Sequence, residues 1–597
     1  MEPTASNPAE EYARRLSALL AAEARFFRQS NVLAGSKLAA ILLTLIAAVG
    51  LAKYYPGYIF VLSVPVAAVV FLFVLHERTL RSLHRCARLK AMYQQGMARL
   101  EDRWMGTGQQ GEHFLDPSHP YARDLDLFGK GGMFELLSTA RTRAGEETLA
   151  AWLLSPAPIG EILARQDAVK ELQPRLDFRE KLALAGEAIQ VGVRPEALIA
   201  WSEVRTRLNP KFAGIVAPAL AVLWVLSLPG WWFLGWGWVT LGMTVLNLIV
   251  TYKVHLRVNQ SASAIEEATH DLDLLEAVFR RIEEQSFTTK KLTDLQAILK
   301  IEKEPVSQVI CRLRQRVEWL DSRDNLFVKS LDPFLFWTAQ CAAIIEAWRT
   351  RYGPSVRGWL AVVGEIEALN SLASYAYEHP QDPFPVFVAH GPSLHAEAFS
   401  HPLLPVSRAV ANDLKLDDEL QLLVISGPNM AGKSTFIRSV GVNVVLAQAG
   451  APVRARKMVL SRLTVTASIC ILDSLQGGLS RFYAEIMRLK QIDEQSQAEV
   501  PVLFLLDELL SGTNSHDRRA GTESFVRTLL SRGAIGLVTT HDLALAEIAE
   551  GMAGQAANFH FEDRFENGEL RFDYRLTPGV VSTTNALKLM RSVGLEV

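Results

Sequence analysis

Apolar and charged positions alternate or intermix along most of this chain, but two stretches hold almost no charge. Residues 38–75 carry one charged side chain, Lys53, and residues 212–252 carry none. Tyr54-Tyr55-Pro56-Gly57 interrupts the first stretch and Ser227-Leu228-Pro229-Gly230 the second. A helix needs about 20 apolar residues to cross the hydrocarbon of a bilayer, so the pattern predicts two transmembrane helical hairpins, 36–75 and 212–252. Buried hairpins of a soluble core are the alternative. Trp231, Trp232, Trp236 and Trp238 gather beside the second break, where an interfacial aromatic belt would sit.

Basic residues flank both hairpins: Arg25, Arg28 and Lys37 before the first, Arg78 and Arg81 after it, Lys211 and Lys253 around the second. By the positive-inside rule both hairpins leave and return on one side. The expectation is a multi-pass protein of the cytoplasmic membrane with its soluble domains in the cytoplasm. The polar lead before the first apolar run is too long for a cleaved signal peptide. Arg78, Arg81, Arg85 and Arg88 form one helical stripe, either a solvated face or a contact for anionic lipid.

The remaining pattern divides the chain further. Residues 1–35 read as an amphipathic N-terminal helix on the cytoplasmic side, and 76–130 as a charged helix followed by a Gly-, Pro- and Asp-rich linker. Helical periodicity marks 131–208 and, after the second hairpin, 253–378, where Pro305, Pro333 and Pro354 suggest breaks. From 379 to 597 short apolar runs alternate with helical segments, the α/β pattern. Strands are expected at 422–425, 502–506 and 534–538, and a helix at 436–447. The fold class is therefore a C-terminal α/β domain plus an all-α core, with two transmembrane hairpins.

Composition changes this picture little. Lys plus Arg (62) nearly balance Asp plus Glu (64) over 597 residues, so bulk charge gives no case for nucleic-acid binding. The mean hydropathy of +0.12 is high for a chain that is 21% charged, and the two apolar stretches account for it. Cys86, Cys311, Cys341 and Cys470 have no paired or metal-ligand spacing and read as reduced thiols.

The chemistry concentrates late in the chain. Gly427-Pro428-Asn429-Met430-Ala431-Gly432-Lys433-Ser434-Thr435 fits the phosphate-binding pattern G-x-x-x-x-G-K-[ST] between an expected strand and an expected helix. Such a turn aims backbone N–H groups and the positive end of a helix dipole at one point, where the phosphates of ATP would sit. The 502–506 strand delivers Asp507 and Glu508 at its C-terminal end. Asp507, with the Ser434 hydroxyl, suits Mg²⁺, while Lys433 would neutralise the β and γ oxygens. Glu508 is placed to orient or deprotonate the attacking water, and His541, at the end of the 534–538 strand, to sense the γ-phosphate.

This order resembles the ATPase domain of the MutS family, one of the ABC-type ATPases. The resemblance rests on GPNMAGKST (427–435), LDSLQGGLSRFYAEI (472–486), LLDELLSGTNSHD (505–517) and TTHD (539–542). It implies a homodimer in which Gly478 and Ser480 of one subunit complete the ATP site of the other. Ala431 departs from the family's glycine, which matters only if that position needs a positive φ. Weaker likeness covers 134–172 and 359–404, the family's helical core; His401 and Pro402 match a short family motif without an assigned contact.

No mismatch-reading domain fits beside the first hairpin, and no Smr-type nuclease domain is expected. The second hairpin interrupts the core roughly where DNA-clamping relatives insert their clamp. The reading is a membrane-anchored ATPase that uses ATP and Mg²⁺, in contact with lipid, whose DNA-binding and mismatch-repair role is an inheritance from the resemblance. The alternative is an ATP-driven switch at the membrane that binds no DNA.

Overall fold

The computed structural model describes residues 7–186, 195–203, 212–269, 272–469 and 481–580, apart from 303, 429–430, 511–512, 542–545, 547–548, 553 and 567–568. By its contacts the chain divides into two units, Met1–Gly108 with Arg179–Glu187, and Gln109–Phe178 with Ala188–Val597.

The first unit is built on a long antiparallel helix pair. Helix α1 (Pro8–Tyr54) starts with Pro8 in its first turn, and the Asn7 side chain accepts a hydrogen bond from the Ala9 N–H at 3.2 Å. A 3₁₀ turn, Pro56–Leu62, leads into α2 (Ser63–Leu100). Tyr12 and Tyr93 meet edge to face, with ring centroids 5.4 Å apart. Gly96 permits that approach, since a Cβ there would lie 2.6 Å from the Tyr12 ring. Lys90 pairs with Glu23 at 3.0 Å, and His76 bridges Ser30 and Lys37 from the other helix. The apolar windows of both helices are long enough to cross a membrane, and none of either window is buried.

The break expected at residues 54–57 is present. Helix α1 runs without interruption through residues 35 and 36, because the roughly 1 kcal/mol penalty of a helical glycine is too small to stop a long helix.

The second unit holds the helical core, the second apolar pair and the α/β domain. Helix α3 (Arg143–Leu154) begins at Thr142, whose N–H and hydroxyl both donate to the fully buried carboxylate of Glu367. The second apolar pair is α4 (Ala217–Leu234) and α5 (Gly237–Thr269). Glu367 lies on α6 (Trp337–Glu378), a 42-residue helix that packs against α3 and α5.

Two expectations are corrected here. The second pair turns at Gly235-Trp236, not at 227–230: Pro229 and Gly230 lie inside α4, and Gly235, with φ of 70°, caps it. Pro333 and Pro354 also lie inside helices, and of the three expected breaks only Pro305 marks a helix start. Gly214–Leu234 is the third helix long and apolar enough to cross a membrane; among the described residues α5 is not a fourth.

Among its described residues the α/β domain has, besides a hairpin of Asp563–Glu566 with Glu569–Phe572, ten strands in two sheets: β1 (Val386–Phe387), β2 (Leu394–Phe399), β3 (Asn412–Leu416), β4 (Leu422–Ser426), β5 (Lys457–Leu460), β6 (Thr464–Ser468), β7 (Val502–Asp507), β8 (Ile535–Thr540), β9 (Ala556–His560) and β10 (Thr577–Pro578). A small sheet runs β1-β5-β2-β3, and the main sheet runs β10-β9-β4-β8-β7-β6. In the main sheet all pairings are parallel except that of β9 with β10. Strands β4 and β8 are buried throughout, as continuous apolar runs covered by helices on both faces must be. Helices α7 (Lys433–Ala449) and α8 (Arg481–Gln495) belong to this domain.

Candidate functional site

The C-terminal edge of a parallel sheet is where loops from neighbouring strands converge. Strand β4 passes there into a glycine-bearing turn and then into α7. Gly427 and Gly432 take φ of 147° and 99°, conformations that a side chain resists. At Gly427 an added Cβ would also stand 2.9 Å from the Phe561 carbonyl oxygen. Ala431 is buried but is not among the residues with positive φ, so its methyl group costs the turn nothing. Asn429 and Met430 lie outside the described residues.

Lys433, the first residue of α7, is buried and donates from Nζ to the carbonyl oxygens of Gly427 at 2.7 Å and Pro428 at 3.2 Å. Burial lowers its pKa from the ordinary lysine value, and the nearby Glu508 and Asp507 carboxylates oppose that shift. The next residue, Ser434, donates from its hydroxyl to Asp507 Oδ2 at 2.5 Å. Thr435 joins Ser434 in lining the adjoining cavity.

Asp507 and Glu508 are consecutive, and consecutive strand residues point to opposite faces. Glu508 escapes that rule by taking φ of 49°, which ends β7 and brings both carboxylates to the cavity wall. Thr539 at the end of neighbouring β8 holds the arrangement. Its hydroxyl donates to Asp507 Oδ1, and its oxygens accept from the Glu508 N–H at 3.2 and 3.3 Å. Glu508 Oε1 lies 3.8 Å from Lys433 Nζ and 3.6 Å from His541 Nδ1. Buried Glu485 on α8 accepts from the Leu510 N–H at 2.5 Å and so fixes the loop that follows Glu508.

Lys433, Ser434, Thr435, Asp507 and Glu508 line one side of a cavity of about 860 Å³. Its far wall comes from β2, the 400–412 segment, Phe561 and Tyr574. Asn412 ties that wall together: its side chain donates to the Tyr574 carbonyl at 3.0 Å and accepts from the Leu576 N–H at 2.8 Å. His401 lines the cavity while itself buried, and burial, with Arg438 nearby, holds its pKa down at about 4.

The expected residues Gly427, Pro428, Ala431, Gly432, Lys433, Ser434, Thr435, Asp507, Glu508 and His541 thus gather at one sheet edge. Gly478 and Ser480 lie outside the described residues. Sequence reasoning missed Thr539, Glu485 and the cavity wall at Phe399, Arg408, Asn412 and Tyr574. Thr539 stood inside the quoted TTHD run, and Glu485 inside LDSLQGGLSRFYAEI; the wall residues carry no local signal.

The donor set suits Mg²⁺ bound with a nucleotide. That ion keeps several waters and takes one or two protein oxygens together with phosphates. Ser434 and Asp507 provide such a pair, and among the described residues no cluster of three or more His, Cys, Asp or Glu offers a closed metal cage.

A parallel α/β sheet, a glycine turn capping a helix, a buried lysine and a hydroxyl–carboxylate pair define the class of domain. Comparison with known proteins supports the MutS family for this domain: residues 423–596 match the family model MutS domain V. The Endonuclease MutS2 of Thermus thermophilus is 38% identical over 197 residues, 33% of this chain and 25% of that protein. The DNA mismatch repair protein MutS 2 of Halobacterium salinarum is 32% identical over 254 residues, 41% of this chain and 29% of the relative. The DNA mismatch repair protein MutS of Aquifex pyrophilus is 32% identical over 243 residues, 39% and 27% of the two chains. The matched part therefore spans about a quarter of the length of these relatives.

Proposed function

We propose that this protein is a membrane-anchored, dimeric ATPase that couples ATP hydrolysis to rearrangement of its membrane-facing helices. The observation that carries the ATPase reading is the Ser434–Asp507 pair beside buried Lys433, at the mouth of a nucleotide-sized cavity. The loop 427–435 wraps the phosphates, and Lys433 turns from the loop carbonyls to the β and γ oxygens. Ser434 and Asp507 would hold Mg²⁺, which would supply charge neutralisation on the phosphates. Glu508 orients and deprotonates water, and His541 reads the γ-phosphate. Gly478 and Ser480 of a second subunit close the site, which makes hydrolysis depend on dimerisation.

The membrane part of the proposal rests on the bare apolar faces of α1, α2 and α4. Among the described residues none of the α1 and α2 windows and little of the α4 window is buried, and exposed apolar surface on this scale is foreign to a monomer in water. Basic flanks keep the soluble domains on the cytoplasmic side. The α4–α5 pair interrupts the helical core and packs against α6, so motion in the core reaches the membrane directly.

A second reading is favoured by the names of the relatives, which are an endonuclease and mismatch repair proteins. Here the chain would be a DNA-binding ATPase tethered to the membrane. ATPase activity of the detergent-purified protein separates the two. It is measured with and without duplex, mismatched and branched DNA, at two salt concentrations, and again after reconstitution into vesicles. A rate changed by lipid and indifferent to every DNA supports the switch. Stimulation by one DNA form, lost at high salt as phosphate contacts are, supports the tethered DNA enzyme.

A further inference from the structure

The helix Leu326–Leu335 lies between the α4–α5 pair and the start of α6. Its C-terminal end is fastened to the pair at three points. Phe334 stacks on Trp224 with ring centroids 4.9 Å apart and planes 10° from parallel. The Asn247 amide donates to the Phe334 carbonyl at 3.1 Å, and the Thr251 hydroxyl donates to the Pro333 carbonyl at 2.9 Å. These contacts sit well below the turn at Gly235: Trp224 precedes Leu234 by about ten residues, roughly 15 Å of helix, which is half the depth of a hydrocarbon core.

The other end of this short helix is bare. Leu326 and Phe327 are 81% and 78% exposed, comparable to Trp232 at the tip of the α4–α5 pair, at 84%. Asn325 accepts from the Phe327 N–H at 3.0 Å, so this end is a formed helix start that displays two large apolar side chains. The polar residues of the helix are compatible with that display. Exposed Lys329 has the length to reach lipid headgroups. The Ser330 hydroxyl donates to the Leu326 carbonyl at 2.8 Å, and Asp332 accepts from the Thr338 N–H at 2.8 Å and its hydroxyl at 3.0 Å, capping the first turn of α6.

We propose that Leu326–Leu335 is a further membrane-contacting element, with Leu326 and Phe327 inserted into phospholipid beside the α4–α5 pair. The occupant is lipid because the helix is continuous with the apolar surface of that pair and is fastened to it at bilayer depth. The proposal rests on the anchoring reading above. Its consequence is that lipid grips the head of α6. The same helix, through Glu367, caps α3, which packs against α7 behind the Lys433 turn. Lipid and phosphate site would then act on opposite ends of one helix.

The test is photocrosslinking of the full chain, reconstituted into phosphatidylcholine–phosphatidylglycerol vesicles that contain an alkyne-tagged phosphatidylcholine. The crosslinking residue p-benzoylphenylalanine replaces Phe327, Leu226 on the exposed face of α4, or Leu163, an exposed residue of the helix Ile159–Leu172. The expected result is tagged lipid at Phe327 and Leu226 alike, several-fold above Leu163. Labelling at Leu226 with Phe327 at the Leu163 background overturns this proposal and leaves the anchoring intact. Background labelling at both Phe327 and Leu226 overturns the anchoring and this proposal with it.

Discussion

Glu508 Oε1 lies 3.8 Å from Lys433 Nζ, so the residue proposed to activate water rests against the residue proposed to bind phosphate. A lysine that turns toward phosphate oxygens releases this carboxylate to face water. In the proposed mechanism the pair would thereby link binding to base activation. General-base groups contribute roughly 10²- to 10⁴-fold to rate. Glu508→Gln keeps the size of the side chain and removes its basicity. Steady-state hydrolysis should fall about a hundredfold or more, while ATP binding, measured by equilibrium filtration, persists. An unchanged rate in Glu508→Gln would show that another group activates the water.

Ser434 and Asp507 form one hydrogen-bonded unit, with Thr539 on the second carboxylate oxygen. Loss of either member, in Ser434→Ala or Asp507→Asn, should raise the Mg²⁺ concentration for half-maximal hydrolysis about tenfold or more. Thr539→Val should do the same more weakly, since it disturbs only the orientation of Asp507. A Mg²⁺ titration that superimposes on the wild type for both Ser434→Ala and Asp507→Asn would remove this pair from the metal site.

His401 gives the cavity wall a pH-dependent stability. Its pKa is about 4 in the folded chain and near 6.5 when unfolded. Between those values the unfolded state binds the extra proton, so stability is full above pH 6.5 and is lost as pH falls toward 4. From pH 7 to pH 5 this amounts to about 2 kcal/mol. His401→Gln cannot titrate, so denaturation of this variant should lose less stability than the wild type over that interval. Equal losses in the two proteins would mean that His401 keeps its ordinary pKa in the fold.

Much of the phosphate-proximal site was legible because each part is local. An apolar run ending in Asp507-Glu508, or a glycine pattern before Lys433, needs no knowledge of distant residues. Strand β4 ends one residue beyond its expected limit, at Ser426, and α7 starts three residues early, at Lys433. The cavity wall was not legible, because Asn412 and Tyr574 meet across 162 positions of sequence. The turn of the second apolar pair was misread for a different reason. Pro229 and Gly230 disfavour a helix in water, but apolar helices tolerate both where packing meets the freed backbone groups. The stop was Gly235, which alone offers the left-handed conformation without strain. The helix Leu326–Leu335 was hidden by Pro333, which reads as a break yet lies inside it.

The last prediction separates a membrane hairpin from a soluble one at a single position. Leu226 is 64% exposed on α4. If water covers this face, Leu226→Arg is a surface substitution and should change stability by no more than about 0.5 kcal/mol. If lipid covers it, an arginine near the centre of a membrane helix costs about 2.5–3.5 kcal/mol of insertion energy. The expected outcome is therefore an α4–α5 pair that fails to insert in Leu226→Arg, while α1 and α2 still hold the chain in the membrane; Leu163→Arg, at an exposed residue of the helix Ile159–Leu172, inserts like the wild type. Labelling of a cysteine placed at Trp232, at the tip of the pair, by a membrane-impermeant maleimide added outside intact cells reads the difference. Equal labelling of Leu226→Arg and its Leu226 parent would place α4 outside the hydrocarbon, leaving α1 and α2 as the anchor.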